Sequence, residues 1–313
     1  MASGGGRALL TTWTIRGALR SLSTLGKVNT TSHPLVLQSD FGLADGAVAA
    51  MYGVALSCSP ELRIFDLTHN IPPYNIWEGS SRLAQTVSYW PAGTVFVSVI
   101  DPGVGSDRRS VVAQTATGHY VVTPDNGTLS HVASIYGITA VREIDEAVNR
   151  RKGSETSYTF HGRDVYAYTG ARLAAGIISF EGVGPALDPA SLVRLPLSDA
   201  EVGDGQITGI VDALDVRYGS LWSSIPREQF LSLGFELGDH VRVHITHDGR
   251  AVHANRLVYV PSFASVEVGE SLLYVNSLDR MAVAINRGSY ARAFDISTGP
   301  NWKISLARMD GEA

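Results

Sequence analysis

A single cysteine, Cys58, occurs among 313 residues. An internal disulfide is therefore impossible, and a cage of thiolates around zinc is excluded. Cys58 closes an apolar helical pattern of Val48, Met51, Val54 and Ala55, which predicts a buried structural thiol rather than a nucleophile. No stretch stays apolar for the ~18 residues that a membrane span requires. No Lys/Arg run outside the N-terminus could track phosphates, and the formal net charge is −5. Both features argue against a nucleic-acid partner. Glycine signatures of phosphate binding are missing as well: no GxGxxG follows the first strand and no glycine loop ends in Gly-Lys-Ser/Thr. Residues 1–39 contain no acid, while Arg7, Arg16, Arg20 and Lys27 stand among Ser, Thr and Gly. Arg16 interrupts the one apolar stretch there, so a secretory signal fits poorly. A disordered extension over 1–33, an organelle transit peptide and a start codon assigned too early all fit this composition. The remainder is expected to be cytoplasmic.

What is present reads as two textures. From residue 34, strand and helix patterns alternate. Leu35 to Leu37 is a short apolar strand ending in Ser39-Asp40-Phe41-Gly42. A helix follows with Asp45 as N-cap and Val48, Met51, Tyr52 and Ala55 on one face. Leu62 to Leu67 reads as a strand, and Trp77 to Trp90 as a helix stopped by Pro91. Thr94 to Ile100 is a run dominated by apolar and β-branched residues, as a strand buried on both faces is. Ser110 to Gln114 and Tyr120 to Thr123 add two strands joined through Thr117-Gly118, and another helix spans Arg163 to Ala175. This alternation predicts a mostly parallel sheet flanked by helices. Beyond residue 200 the pattern changes to short strands separated by Gly, Asp, Asn and Ser: Gly205 to Ala213, His240 to Thr246, Leu272 to Asn276 and Met281 to Ile285. The expected architecture is an α/β domain over 34–195 and a smaller all-β, barrel-like domain over 204–313.

Aspartates collect where the predicted strands end: Asp40, Asp101 and Asp125. Open α/β sheets bind ligands outside the carboxyl ends of their strands. Aspartate is also common in turns, so each alone is unremarkable and the convergence is what suggests a site. Pro102, Gly103 and Gly105 can fold the loop after Asp101 back on itself and bring Arg108 against it. His161-Gly162-Arg163-Asp164 precedes a helical pattern; a histidine beside an aspartate and an arginine can hold and polarise a water. A divalent metal on Asp40, Asp101, Asp125 and His161 is the competing reading. None of these four stands in an HxxxH, HxH or DxD spacing, and Arg108 and Arg163 would compete for the carboxylates.

Five segments in order, Ser39-Asp40-Phe41-Gly42, Asp66-Leu67-Thr68-His69, Asp101-Pro102-Gly103-Val104-Gly105, Pro124-Asp125-Asn126-Gly127 and Phe160-His161-Gly162-Arg163-Asp164, resemble the S-adenosylmethionine (SAM) hydroxide adenosyltransferases, relatives of the fluorinase and chlorinase. The resemblance runs from about residue 34 to the C-terminus. It implies an N-terminal α/β domain, a C-terminal β domain and a homotrimer with sites between subunits, working without cofactor or metal. It also implies a catalytic set of Asp101, Arg108 and His161. Asp40 would grip the ribose hydroxyls, with Asp45 a second acid nearby and Tyr74 an aromatic beside the ligand. In the C-terminal half, Asp215 would pair with the methionine ammonium, Tyr218 would stack, Ser220 would line the same segment and Ser277 would hold the methionine carboxylate. The sequence departs from the family at Ser220 and Ser224, which replace asparagines, and at Leu278, where the halogenases carry arginine.

The reaction implied is the attack of water or hydroxide at ribose C5′, releasing methionine and leaving adenosine. Two features favour hydrolysis over halogenation. Trp90 to Asp125 lacks the fluorinase's long insertion, and the position facing the halide is Asp101, whose carboxylate would repel a halide and accept a proton or hydrogen bond from water. The alternatives are a halide-using 5′-halo-5′-deoxyadenosine synthase and a protein that binds SAM or adenosine without turnover.

Overall fold

The computed structural model describes Met1 and residues 32–308; the expected N-terminal extension lies almost wholly outside them. The first half builds one seven-stranded sheet. Its parallel part comprises β1 (Leu35–Ser39), β2 (Ile64–Thr68), β3 (Val95–Val99) and β5 (Tyr120–Pro124), with β4 (Ser110–Thr115), β6 (Ile138–Glu143) and β7 (Ala186–Leu187) antiparallel at one side. The strand order is β2-β1-β3-β5-β4-β6-β7. The β1 and β3 residues are all buried, so both faces of the central strands are covered. On one face Met51 and Ala55 of α1 (Ala47–Cys58) pack with Val165, Ala171 and Ala174. On the other, Leu83, Ala84 and Val87 of α2 (Ile76–Val87) pack with Val132 of α3 (Ser130–Tyr136). A short α4 (Glu146–Asn149) and α5 (Tyr168–Ala174) complete this half.

Several boundaries differ from the sequence reading. The helix expected to reach Trp90 ends at Val87, and Trp90 turns its ring onto Phe65 and Phe96 instead. The helix expected from Arg163 opens as a π-turn over Gly162–Ala167 before α5 takes over, a feature frequent at functional sites. Gly46, not Asp45, is the N-cap of α1, yet the Asp45 Oδ1 accepts from Ala47 N–H at 2.8 Å and caps the helix from one residue earlier. Cys58 is half-buried, and burial pushes its thiol pKa up, which disfavours a nucleophilic thiolate.

The second half is a closed seven-stranded barrel of β9 (Gln206–Leu214), β10 (Leu221–Pro226), β11 (His240–His247), β12 (Arg250–Tyr259), β13 (Ser271–Val275), β14 (Arg280–Ile285) and β15 (Trp302–Arg308), preceded by β8 (Glu201–Gly203) at the side of β9. The β9–β10 pairing closes the ring, which removes the open edges that a sheet of this length would expose. Its interior holds Ile207, Phe230, Val243, Leu273, Tyr290 and Leu306, with Phe230 on α6 (Arg227–Ser232) and Tyr290 on α7 (Tyr290–Ala293). No helix of the described residues is long and apolar enough to cross a membrane.

Candidate active site

Because β1, β3 and β5 are adjacent and parallel, Asp40, Asp101 and Asp125 leave the sheet at one edge. Antiparallel β4 starts there too, with Ser110 opposite Pro124, so Arg108 reaches the same edge from the other direction. The loop after β3 does fold back. Arg108 clasps Asp101 with Nε at 2.9 Å from Oδ1 and Nη2 at 2.6 Å from Oδ2, with side chains only 10% and 5% exposed. The same Nη2 donates to His161 Nδ1 at 2.9 Å. Arg108 Nη1 donates to Ser110 Oγ, itself in contact with the Tyr166 hydroxyl. Asp101, Arg108 and His161 thus form one buried hydrogen-bonded cluster.

An arginine only donates, so the Arg108 bond assigns the lone pair of a neutral imidazole to Nδ1 and its proton to Nε2. Burial lowers the His161 pKa below the ordinary imidazole value; Glu146 opposes the shift while Arg108 and Arg150 reinforce it. Arg150 was not foreseen. It is buried, pairs with Glu146 at 2.6 Å, holds the carbonyls of Ser154 and Ser157, and brings Nη1 to 3.5 Å from His161 Nε2. Nothing about an arginine in an ordinary helix-end segment distinguishes it in sequence; tertiary proximity alone does.

Asp40 sits at the tip of β1. Its Oδ2 accepts from the Tyr74 backbone N–H at 2.8 Å, which joins two of the expected substrate residues, and Tyr74 is 72% exposed with φ 68°. His69 organises the loop beneath. Its Nδ1 lies 2.7 Å from Ser39 Oγ, its carbonyl accepts from Gly42 N–H at 2.8 Å, and its Nε2 meets Asp66 at 2.9 Å. Tyr52 also donates to Asp66. The Asp66-to-His69 segment therefore buttresses the Asp40 loop. Phe41 packs on Phe160 and Gly162, tying the first segment to the last. Asp125, in contrast, is a structural clamp: it is nearly sealed off, pairs with Arg109 and accepts from Val193 N–H.

In the barrel, Asp215, Tyr218 and Ser220 share the loop joining β9 to β10. Asp215 N–H donates to the Ser220 carbonyl, and Gly219 N–H donates to the Asp215 carbonyl. Tyr218 is exposed and Ser220 buried. Tyr218 walls a cavity of about 570 Å³ with Phe263, Asn286, Arg287 and Ser289; these last four went unnoticed in the sequence. Ser277 is exposed in the β13–β14 turn, which Asn276 Oδ1 shapes by accepting from Leu278 and Arg280 N–H. The triad's hydrogen bonds run within the α/β half and those inside the Asp215 loop within the barrel. Among the described residues, no group of three or more His, Cys, Asp and Glu is placed to hold a metal.

Residues 35–184 match the model of the SAM hydroxide adenosyltransferase N-terminal domain, and residues 209–303 that of the C-terminal domain. The chain belongs to the SAM hydroxide adenosyltransferase family. An (R)-S-adenosyl-L-methionine hydrolase of Salinispora tropica is 37% identical over 85% of this chain and 95% of its own length. A fluorinase of Actinopolyspora mzabensis is 28% identical over 88% of this chain and 98% of its own. Among solved structures, a conserved protein of Thermotoga maritima superposes with a TM-score of 0.79 at 31% identity, covering 88% of this chain and 100% of that one.

Proposed function

We propose that the chain hydrolyses S-adenosyl-L-methionine to adenosine and L-methionine by in-line attack of water at ribose C5′. The observation that carries this reading is the buried Asp101–Arg108–His161 cluster, bonded at 2.6–2.9 Å. Relatives named as (R)-S-adenosyl-L-methionine hydrolases support the substrate. A sulfonium leaves as a neutral thioether, so no acid is needed at sulfur and the demand falls on the nucleophile. Arg108 takes the His161 Nδ1 lone pair and Arg150 Nη1 stands 3.5 Å from Nε2, so the ring is clamped beside Asp101 and helps to position the water there. The Asp101 carboxylate, fixed by Arg108, retains lone pairs to accept the water's proton. Holding that water near C5′ in a dry cleft supplies the rest through positioning.

Asp40 grips the ribose hydroxyls in this reading, with Asp45 and Tyr74 beside it. Asp215 takes the methionine ammonium, Tyr218 and Ser220 line the same pocket, and Ser277 meets the carboxylate. Asp45 already caps α1 through one oxygen and has the other to offer. The division into 34–195 and 204–313 rests on the change of pattern along the sequence; β8, paired with β9, lies just before the second range. The resemblance to the family implies a homotrimer with sites shared between subunits, and this reading carries that expectation over. The reading needs no metal: Arg108 already supplies a positive charge against both oxygens of Asp101, and a cation would have to compete with that guanidinium.

The test is to incubate the protein, without added metal, with SAM in ¹⁸O-labelled water and to analyse products by mass spectrometry. Methionine and adenosine carrying ¹⁸O at O5′ are expected. SAM binding without product would overturn hydrolysis, and 5′-chloro-5′-deoxyadenosine formed with chloride would move the halide reading to the front.

A further inference from the structure

We propose that Trp77, Arg82 and His131 are positioning residues for Asp215, the group assigned above to the substrate ammonium; the proposal rests on that reading. β9 carries a bulge just before the Asp215 loop. Opposite β10, Trp222 pairs with Ala213 but Ser223 pairs with Val211, which leaves Asp212 as the extra residue. A bulge frees backbone groups from the ladder and re-aims the strand. Side chains from α2 and α3 capture this one. Trp77 Nε1–H donates to the Asp212 carbonyl at 2.8 Å, His131 Nε2 meets the Asp212 carboxylate at 3.0 Å, and Arg82 donates to the Leu214 carbonyl.

The three are themselves held rigidly. Facing a carboxylate, His131 Nε2 carries the ring proton, so Nδ1 accepts from Ser80 Oγ at 2.8 Å, and Ser80 in turn accepts from His131 N–H. Trp77 stands edge-on to the His131 ring, with centroids 5.0 Å apart. Arg82 is fixed by Glu78 and Gln85, each at 3.1 Å. Trp77 and His131 are at least nine-tenths buried. All three anchors fall within the three residues preceding Asp215. The loop beyond is closed on itself by the Asp215–Ser220 and Gly219–Asp215 backbone bonds, so a shift at the bulge passes directly to the Asp215 carboxylate. General docking of the two halves does not require this concentration of donors on one strand end.

The experiment compares SAM with its analogue lacking the α-amino group, in the full chain, with His131→Asn, Arg82→Gln and Trp77→Phe. The variants are expected to raise KM for SAM about tenfold, with kcat within about twofold. They should leave KM for the deamino analogue unchanged, and should add nothing in an Asp215→Asn background. Arg82→Lys, which keeps a donor, should recover part of the loss. Equal effects on both substrates, or additivity with Asp215→Asn, would overturn the proposal and leave a purely structural role. Trp77→Phe removes the indole N–H while keeping a smaller aromatic ring, so it serves if the other variants do not fold. If the unaltered protein makes no adenosine, the hydrolysis reading has failed; calorimetric binding of SAM against the deamino analogue then tests the positioning by the same ratios.

Discussion

At the scale of single residues the cluster is held by opposed costs. Asp101 and Arg108 are both nearly removed from water, and each is tolerable only because the other is present. Removing one partner of a buried pair costs about 3–5 kcal/mol, so Asp101→Ala should lower the urea unfolding midpoint by that equivalent. Asp101→Asn, which keeps shape but not basicity, should reduce kcat by about 10²–10⁴-fold with SAM binding retained, measured as adenosine formed. His161 adds a pH dependence of stability. Its folded-state pKa lies below the ordinary value because burial disfavours the cation, so the unfolded chain binds the proton first as pH falls. Stability should therefore be complete above about pH 6.5 and decline on acidification below it. Urea midpoints at about pH 5 and pH 7.5 should differ less in His161→Gln than in the unaltered protein.

At the scale of elements, two glycines show how loops deliver these groups. A Cβ on Gly162 would stand 2.9 Å from the Phe41 ring, so Gly162→Ala should cost about 1–3 kcal/mol through overpacking. It should also depress kcat by displacing the adjacent His161; a thermal scan and a rate assay read the two effects. Gly219 has φ +71°, and a Cβ there would run into Ser289 Oγ. Gly219→Ala should therefore disturb the Asp215 loop and raise KM for SAM. The strands of the α/β half were legible because short runs rich in β-branched and aromatic residues, such as Val95 to Val99, favour little else. β6, β7, β8, β10, β12 and β15 escaped notice. In β12, Arg250 to Tyr259 mixes charged and polar residues, since an outer barrel face asks only for alternation. The fold-back of the Asp101 loop was legible from its glycines; the bulge at Asp212 was not, because a bulge is a property of two strands.

At the scale of the whole molecule, the two halves meet through the α2–α3 side chains on β9, and the proposed substrate residues are divided between them. If the site is completed by a neighbour, light scattering should give about three times the 33.5 kDa chain mass; a monomer that still turns over SAM would reject the shared site. Activity should survive exhaustive chelation, since the Asp101 carboxylate already has a guanidinium partner. By itself the sequence determined the class of each half, the strand ends at which polar groups gather, and the Asp101–Arg108 pairing, because hydrophobic period and glycine placement act locally. Only the tertiary structure decided that Asp125 is a clamp, that Arg150 and Glu146 flank His161, that His69 buttresses the Asp40 loop, and that Trp77, Arg82 and His131 grip the strand before Asp215. Those roles depend on which charges and hydrogen-bond donors share a desolvated volume, and residues distant in sequence acquire that proximity only when the chain is packed.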